Sequence, residues 1–136
     1  MMVCCGVIVN NGKILMIKKG RGPDKGKWCP PGGRQENNET VEETCKREMK
    51  EETNLKVDVI KKLIYLEKKD FNERNKRLME KFNVDGINFF LCKPLSDIKE
   101  VKIGSDASDF GWFSREEALK MDLVAPAKEF LNRVNV

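Results

Sequence analysis

The segment from Thr40 to Thr53 constrains the fold most, because its apolar residues recur at the spacing of an amphipathic helix and no glycine or proline interrupts it. The residues expected to face inward are Val41, Cys45 and Met49. Asn54 follows where a helix favours a left-handed residue, and asparagine is second only to glycine in that role. The pattern therefore predicts a helix that packs one face on a core and ends at Asn54.

Three glutamates project from another face of this predicted helix. Glu48, Glu51 and Glu52 stand at positions i, i+3 and i+4, so their carboxylates point toward a common region. Such spacing is also common on solvated faces, although like charges there repel by about 0.2–0.5 kcal/mol per pair. A hard cation such as Mg²⁺ would relieve that repulsion. The glycines Gly32 and Gly33 just before the helix permit close backbone approach to a metal or a phosphate.

The composition limits the chemistry open to a chain of 136 residues. With 40% hydrophobic and 35% charged residues, the chain suits one continuous globular domain over residues 1–136. It contains no histidine, which excludes Ser-His-Asp, Cys-His and histidine-ligated zinc chemistry. Its five cysteines include no Cys-x-x-Cys pair, which argues against zinc or a disulfide framework and favours a reducing cytoplasm.

Charge and hydropathy indicate the kind of partner. The formal charge of +4 favours a polyanionic ligand such as a nucleotide, although ordinary surface lysines explain it equally well. The apolar run from Val3 to Val9 is too short to cross a bilayer and lacks the basic region of a secretory signal, so it predicts a buried strand. Neither a membrane nor a stable nucleic-acid partner is expected.

The first part of the chain carries a hairpin signal. Apolar runs at 3–10 and 13–18 flank the turn Asn11-Gly12, whose residues accept positive φ angles. A basic, glycine-rich loop follows over 20–27 and is expected at the surface, where ligands can reach it.

The rest of the chain alternates strand and helix signals. Strands are predicted at 55–66, 86–92 and 110–113. A capping-box signature at Ser114 predicts a short helix to about Met121, and Pro126 suits the first turn of a last helix running to about Val134. The highly charged segment 67–81 fits either an extended hairpin loop or a short helix.

The fixed residues around the first helix resemble the Nudix box, which spans residues 33–55 here. The box reads Gly-x5-Glu-x7-Arg-Glu-U-x-Glu-Glu-x-Gly-U, where U is a bulky aliphatic residue. The matching residues are Gly33, Glu39, Arg47, Glu48, Glu51 and Glu52. Asn54 replaces the last glycine, which is a mild departure because asparagine tolerates the left-handed conformation. Trp28 and the pair Trp112-Phe113 also agree with this family.

The resemblance implies a metal site and the residues that carry catalysis. Glu48, Glu51 and Glu52 would bind Mg²⁺, or Mn²⁺, together with the backbone carbonyl of Gly32. Glu51, Glu52 or an acid from the later loop would accept a proton from the attacking water. Arg47 would pair with the acidic cluster and orient it for catalysis. In the same way Glu39 would tie the loop to the helix.

Candidates outside the box are weaker. The loop before the last strand offers Asp106 or Asp109 as a further metal ligand, and Asp106 is preferred. Five basic residues are candidates for contact with the phosphates of a substrate, namely Lys18, Lys19, Arg21, Lys25 and Lys27. Ala127 and Lys128 lie where some nucleotide-specific relatives contact a base. For each of these residues the alternative is an ordinary exposed side chain with no role in binding.

The fold implied is the α/β Nudix fold, an α/β/α sandwich with a mixed central sheet, the box helix on one face and the C-terminal helix on the other. The reaction implied is hydrolysis of a nucleoside diphosphate linked to a group X, giving a nucleoside monophosphate and phosphorylated X. A MutT-like nucleoside triphosphate pyrophosphatase is the first expectation, and hydrolysis of ADP-ribose, a nucleoside diphosphate sugar or a dinucleoside polyphosphate is the alternative. A non-catalytic module that binds nucleotide or RNA is disfavoured because all three carboxylates are intact.

Overall fold

Eight strands and four helices make up the computed structural model, which describes residues 1–136. The strands are β1 (Met2–Val7), β2 (Val9–Asn10), β3 (Lys13–Lys19), β4 (Trp28–Cys29), β5 (Gly32–Arg34), β6 (Val57–Leu66), β7 (Gly86–Pro94) and β8 (Ala107–Phe113). The helices are α1 (Val41–Thr53), α2 (Glu73–Lys81), α3 (Arg115–Leu119) and α4 (Ala125–Arg133). Short 3₁₀ turns lie at Lys68–Asp70 and Ile98–Glu100.

The strands form two sheets. In the first sheet the order is β5-β1-β7-β6, with β1 and β7 parallel and the other pairs antiparallel. In the second sheet β3 pairs antiparallel with β2, β4 and β8. The first sheet is therefore mixed, as predicted.

Apolar side chains pack into two clusters because successive residues of a strand point to opposite faces. The cluster under α1 includes Cys4, Leu15, Cys45, Met49 and Phe90. The cluster under α4 includes Cys5, Met16, Phe89, Phe130 and Leu131. The rings of Phe89 and Phe130 stack with their centroids 4.6 Å apart. Helices thus cover both faces, and the α/β/α arrangement is confirmed.

The first hairpin differs from its prediction. The turn at Asn11 and Gly12 is present, with φ angles of 51° and 73°, but only Val9–Asn10 pairs with β3 across it. Residues Met2–Val7 belong to the other sheet, where β5 and β7 occupy both edges of β1. No edge of β1 remains for β3, so the predicted strand is divided at Ile8 between two sheets.

Helix α1 agrees with the prediction at both ends. It begins after Thr40, whose side chain accepts a hydrogen bond from the Glu43 N–H in a capping box. It ends at Asn54, which adopts a φ of 66° and donates its N–H to the Lys50 carbonyl. At Gly6 of β1 an added Cβ would overlap the Met49 side chain, so the absence of a side chain there lets α1 pack closely on the sheet.

The later elements also match, and the ambiguous segment is resolved. The helices after Ser114 and around Pro126 are confirmed. Residues 67–81 contain a 3₁₀ turn and helix α2, so the short-helix alternative is right. The side chain of Asn72 caps α2 by accepting from the Asn75 N–H at 2.9 Å.

Candidate active site

Arg47 is the centre of a polar network on α1. Its Nε and Nη2 donate to the two carboxylate oxygens of Glu39 at 2.7 and 3.0 Å. Its Nη1 donates to Glu48 Oε1 at 2.9 Å and to Glu51 Oε2 at 3.1 Å. Nη2 also donates to the Arg34 carbonyl oxygen at 2.9 Å. The planar guanidinium therefore holds the preceding loop and two of the helix carboxylates in one arrangement.

Glu39 is the acidic anchor of this network. Besides Arg47, it accepts hydrogen bonds from the Thr44 hydroxyl at 3.0 Å and from the Glu36 N–H at 2.9 Å. The hydrogen bond from Arg47 is the main reason that the pKa of Glu39 falls to about 2. The same pairing raises the pKa of the Arg47 guanidinium, so both groups are charged at neutral pH.

Glu48 lies against the glycine loop. Its side chain is 12% exposed, and a Cβ added at Gly33 would overlap its carboxylate. Burial is the main cause that raises the pKa of Glu48, and Arg47 only partly offsets it. A residue with a side chain at position 33 would therefore displace this carboxylate.

Glu52 lies one helical turn beyond Glu48. Its Oε2 is buried without a hydrogen-bond partner. Burial, followed by the negative charges of Glu48 and Asp106, raises the pKa of Glu52 to about 7. An unpartnered buried carboxylate oxygen is costly unless it is protonated or paired with a positive charge.

Asp106 is brought to this end of α1 by the loop before β8. The Gly104 N–H donates to the Glu52 carbonyl at 3.1 Å, which satisfies one of the unpaired carbonyls at the helix end. The Asp106 carbonyl accepts from the Gly20 N–H at 2.8 Å, and its carboxylate pairs with Arg21. Asp106 therefore lies between α1, which carries the predicted metal ligands, and the basic loop over 20–27.

Glu48, Glu52 and Asp106 line one cavity of about 660 Å³. The charged residues that line it are Lys19, Arg21, Arg34, Glu36, Glu48, Glu52 and Asp106, and Gly32 and Gly33 contribute backbone. No three Asp, Glu, His or Cys side chains meet closely enough in the structure to hold a cation alone. The arrangement instead suits a cation that keeps open positions for water and phosphate, as Mg²⁺ does.

Other candidates from the sequence lie elsewhere. The side chain of Glu51 is 57% exposed, is turned toward Arg47 and does not line the cavity. Lys18 lines neither this cavity nor the neighbouring cleft, whereas the next residue, Lys19, lines both. Asp109 pairs with Lys18 in the β3–β8 ladder, outside the cavity. The structure thus brings together Gly32, Glu48, Glu52, Asp106 and Arg21.

A second cleft of about 640 Å³ adjoins the cavity. The two share Lys19, Arg21, Gly22 and Arg34, and Lys128 lines only the cleft. Asn75, Leu78 and Phe82 form its wall on the α2 side. Sequence reasoning missed this wall and Arg34. The available signals were the position of Arg34 directly after Gly33 and the three-to-four spacing from Asn75 to Phe82.

The NUDIX domain family model matches residues 2–134, and the chain belongs to that family. The ADP-ribose pyrophosphatase of Methanocaldococcus jannaschii is 34% identical over 116 residues, which are 85% of this chain and 63% of that protein. The chain thus spans less than two thirds of that relative. Nucleoside triphosphatase NudI of an Enterobacter species is 27% identical over 129 residues, 89% of this chain and 86% of that protein.

The fold comparison agrees. The MutT NUDIX hydrolase from Burkholderia pseudomallei superimposes with a TM-score of 0.76 at 22% identity, covering 98% of this chain and 97% of that one. Family membership, with relatives named pyrophosphatase and triphosphatase, supports a hydrolase acting on phosphoanhydride bonds. Nudix hydrolases generally use divalent metal ions. No helix in the structure has the length and apolar character needed to cross a membrane.

Proposed function

We propose that the protein is a divalent-cation-dependent pyrophosphohydrolase that cleaves nucleoside diphosphates linked to a group X into a nucleoside monophosphate and phosphorylated X. The observation that carries this proposal is one cavity that combines two half-buried glutamates, Glu48 and Glu52, with the cations Lys19, Arg21 and Arg34. Carboxylates alone would repel a polyanionic substrate, and cations alone would only bind it. The combination suits a substrate that enters with a divalent cation.

The residues present fit Mg²⁺ or Mn²⁺. The Oε2 of Glu52 is buried without a partner, and burial raises the pKa of both Glu48 and Glu52 although Arg47 donates to Glu48, so the pair can accept a further positive charge. These two residues would hold the cation, with the Gly32 backbone and Asp106 beside them. Glu51 stays a predicted ligand, although Arg47 holds its side chain outside the cavity. When bound, the cation supplies positive charge that polarises the phosphoryl oxygens and neutralises the charge that develops in the reaction.

The chain itself positions the substrate and moves the proton. Lys19, Arg21 and Arg34 bind the phosphate oxygens, which places the anhydride beside the carboxylates. The attacking water loses its proton to Glu52 while its oxygen bonds to phosphorus, and the anhydride oxygen leaves with the departing phosphoryl group. Arg47 acts through Glu48 and Glu51 as a positioning residue, because it donates to both carboxylates and does not line the cavity.

Two substrate groups are favoured by particular observations. Nucleoside triphosphates come first, since the relative matched over 86% of its own length is named a nucleoside triphosphatase. ADP-ribose comes second, since the relative with 34% identity is named an ADP-ribose pyrophosphatase.

A substrate panel tests the proposal. Nucleoside triphosphates and ADP-ribose are incubated with Mg²⁺, Mn²⁺ or EDTA, and products are separated to identify the bond that is cleaved. Three proteins are compared, namely the native chain, Glu52→Gln and Glu80→Gln, an exposed glutamate of α2 outside both cavities. We expect Glu52→Gln to lower kcat about 10²–10⁴-fold and Glu80→Gln to match the native chain. Equal, near-background rates in all three proteins would reject the enzyme.

A further inference from the structure

Phe82 at the end of α2 is an exposed aromatic ring inside the second cleft. Its exposure is 37%, and it lines the cleft together with Asn75 and Leu78. The spacing of these three residues is three and four, so they share one face of the helix. A large apolar side chain left exposed in a concave site marks a surface for a ligand more than a contribution to the core.

Arg34 fixes the position of Phe82 relative to the carboxylate cavity. The Arg34 Nη2 donates to the Phe82 carbonyl oxygen at 2.6 Å, and the Arg34 side chain lines both the cavity and the cleft. Arg34 therefore lies between a group stacked on the Phe82 ring and the cavity where the phosphates are expected. The two adjoining spaces, one with cations and one with an aromatic ring, suit a molecule with a phosphate end and a flat end.

Asn75 adds a polar group of defined chemistry. Its backbone N–H is used by the Asn72 cap, while its half-buried side chain has no hydrogen-bond partner in the protein. A free carboxamide carries two N–H donors and an oxygen acceptor side by side. That pattern matches the edge of a nucleobase, where donors and acceptors also alternate.

We infer that the cleft beside α2 holds the nucleobase of the substrate, with the base stacked on Phe82 and its edge hydrogen-bonded to Asn75. This site rests on the proposed function, because a bound nucleotide is a substrate only if the protein hydrolyses it. It assigns nucleoside selection to α2 and leaves the phosphates to Lys19, Arg21 and Arg34. Purines stack over a larger ring area than pyrimidines, so they bind more tightly in this cleft.

Binding without catalysis tests the inference. Dissociation constants for ADP, UDP and ribose 5-phosphate are measured by saturation-transfer NMR titration in EDTA, which also reports whether base protons contact the protein. We expect Phe82→Ala to weaken ADP about tenfold to a hundredfold, as loss of one stacked base predicts, and to leave ribose 5-phosphate unchanged. Phe82→Trp restores ADP binding, because a larger ring still stacks.

Phe110→Ala is the matched control, since Phe110 is 38% exposed and lines neither space. Its ADP affinity should equal that of the native chain, and circular dichroism should show that Phe82→Ala melts at the native temperature. Asn75→Asp, which only accepts hydrogen bonds, should shift preference toward GDP, whose N1–H and N2–H₂ donate side by side. Equal ADP affinity in Phe82→Ala and Phe110→Ala would overturn the inference, as would equal loss of ADP and ribose 5-phosphate.

This result is separable from the proposed function. Specific ADP binding by a native chain that hydrolyses no nucleotide would reject the enzyme and keep the nucleobase site. Hydrolysis of nucleotides that Phe82→Ala leaves unchanged in both kcat and KM would keep the enzyme and reject the site.

Discussion

Helix α1 borders the cavity and helix α2 borders the adjoining cleft, and the two helices are built differently. Helix α1 has four buried residues, Thr44, Cys45, Met49 and Thr53, and its central arginine donates to carboxylates on both sides. Helix α2 has one buried residue, Met79, and its cleft-facing amide has no partner in the protein. Catalytic groups must be fixed in advance, as those of α1 are. Under the proposals above, α1 carries catalysis and α2 selects the substrate.

Arg34 connects the two helices. Its carbonyl oxygen accepts from Arg47 at 2.9 Å, and its guanidinium donates to the Phe82 carbonyl at 2.6 Å. A change that disturbs α1 should therefore lower turnover, and a change confined to α2 should alter substrate affinity. The variants below are ordered by the size of the effect expected from this division.

Among these further variants, Arg47→Lys should have the largest effect. A lysine carries one point charge and is unable to replace the fork that holds Glu39, Glu48 and Glu51 together. We expect kcat to fall about 10–100-fold with little change in KM, because the orientation of the carboxylates is lost while the phosphate-binding cations remain. Steady-state kinetics measure both constants. Arg77→Lys, an exposed arginine of α2 outside the cleft, is the control, and a matching fall there would contradict the division.

Gly33→Ala should have a moderate effect. The added methyl overlaps the Glu48 carboxylate, which is the movable end of a side chain and must turn away. We expect about a tenfold loss in kcat, in line with small displacements of catalytic groups, and a melting temperature close to that of the native chain. A normal kcat would show that the position of Glu48 next to Gly33 is unimportant.

The unfolding free energy of the metal-free protein should depend on pH through Glu52. Burial raises its folded pKa to about 7 from the ordinary 4.5, so ionisation opposes folding. The penalty is absent below the unfolded pKa and is complete above about pH 7. Because water screens part of it, we expect about 1–2 kcal/mol. Urea unfolding in EDTA at pH 5 and pH 8 should show Glu52→Gln stabilised more at pH 8. A gain independent of pH would contradict the burial of this charge.

Asn54→Gly should have the smallest effect. Glycine adopts the φ of 66° with less strain, which stabilises the fold by about 0.5–1 kcal/mol. The variant loses the hydrogen bond from Asn54 Nδ2 to the Glu100 carbonyl at 3.1 Å, which offsets part of that gain. Thermal unfolding should therefore change by a few degrees at most, with native kcat. A large loss of activity would mean that Asn54 does more than end the helix.

The α1 region was predictable because its signals are local. The apolar spacing of Cys45 and Met49 and the left-handed residue Asn54 are fixed within a few turns of chain. The resemblance to the Nudix box implied that Arg47 pairs with the acidic cluster and that Glu39 ties the loop to the helix, and the contact between these two residues is also short in sequence. These parts of the site required no knowledge of the rest of the fold.

Features set by distant contacts were not predictable. Strand β3 is buried on both faces from Ile14 to Ile17, so its sequence has no alternation to show that Lys19, not Lys18, enters the cavity. Helical spacing brings Glu51 near Glu48, but Arg47 draws its side chain aside. The cleft beside α2 exists only because α2 faces the basic loop and the start of α4, which are far away in the sequence.

Binding of Mn²⁺ to the substrate-free protein, counted by electron paramagnetic resonance, tests whether Glu48 and Glu52 of α1 hold a divalent cation while α2 takes no part in holding it. We predict that the native chain and Phe82→Ala bind Mn²⁺ with equal affinity and that Glu52→Gln binds about 10–100-fold more weakly. Equal affinity in all three proteins, or no bound Mn²⁺ in the native chain, would contradict the account.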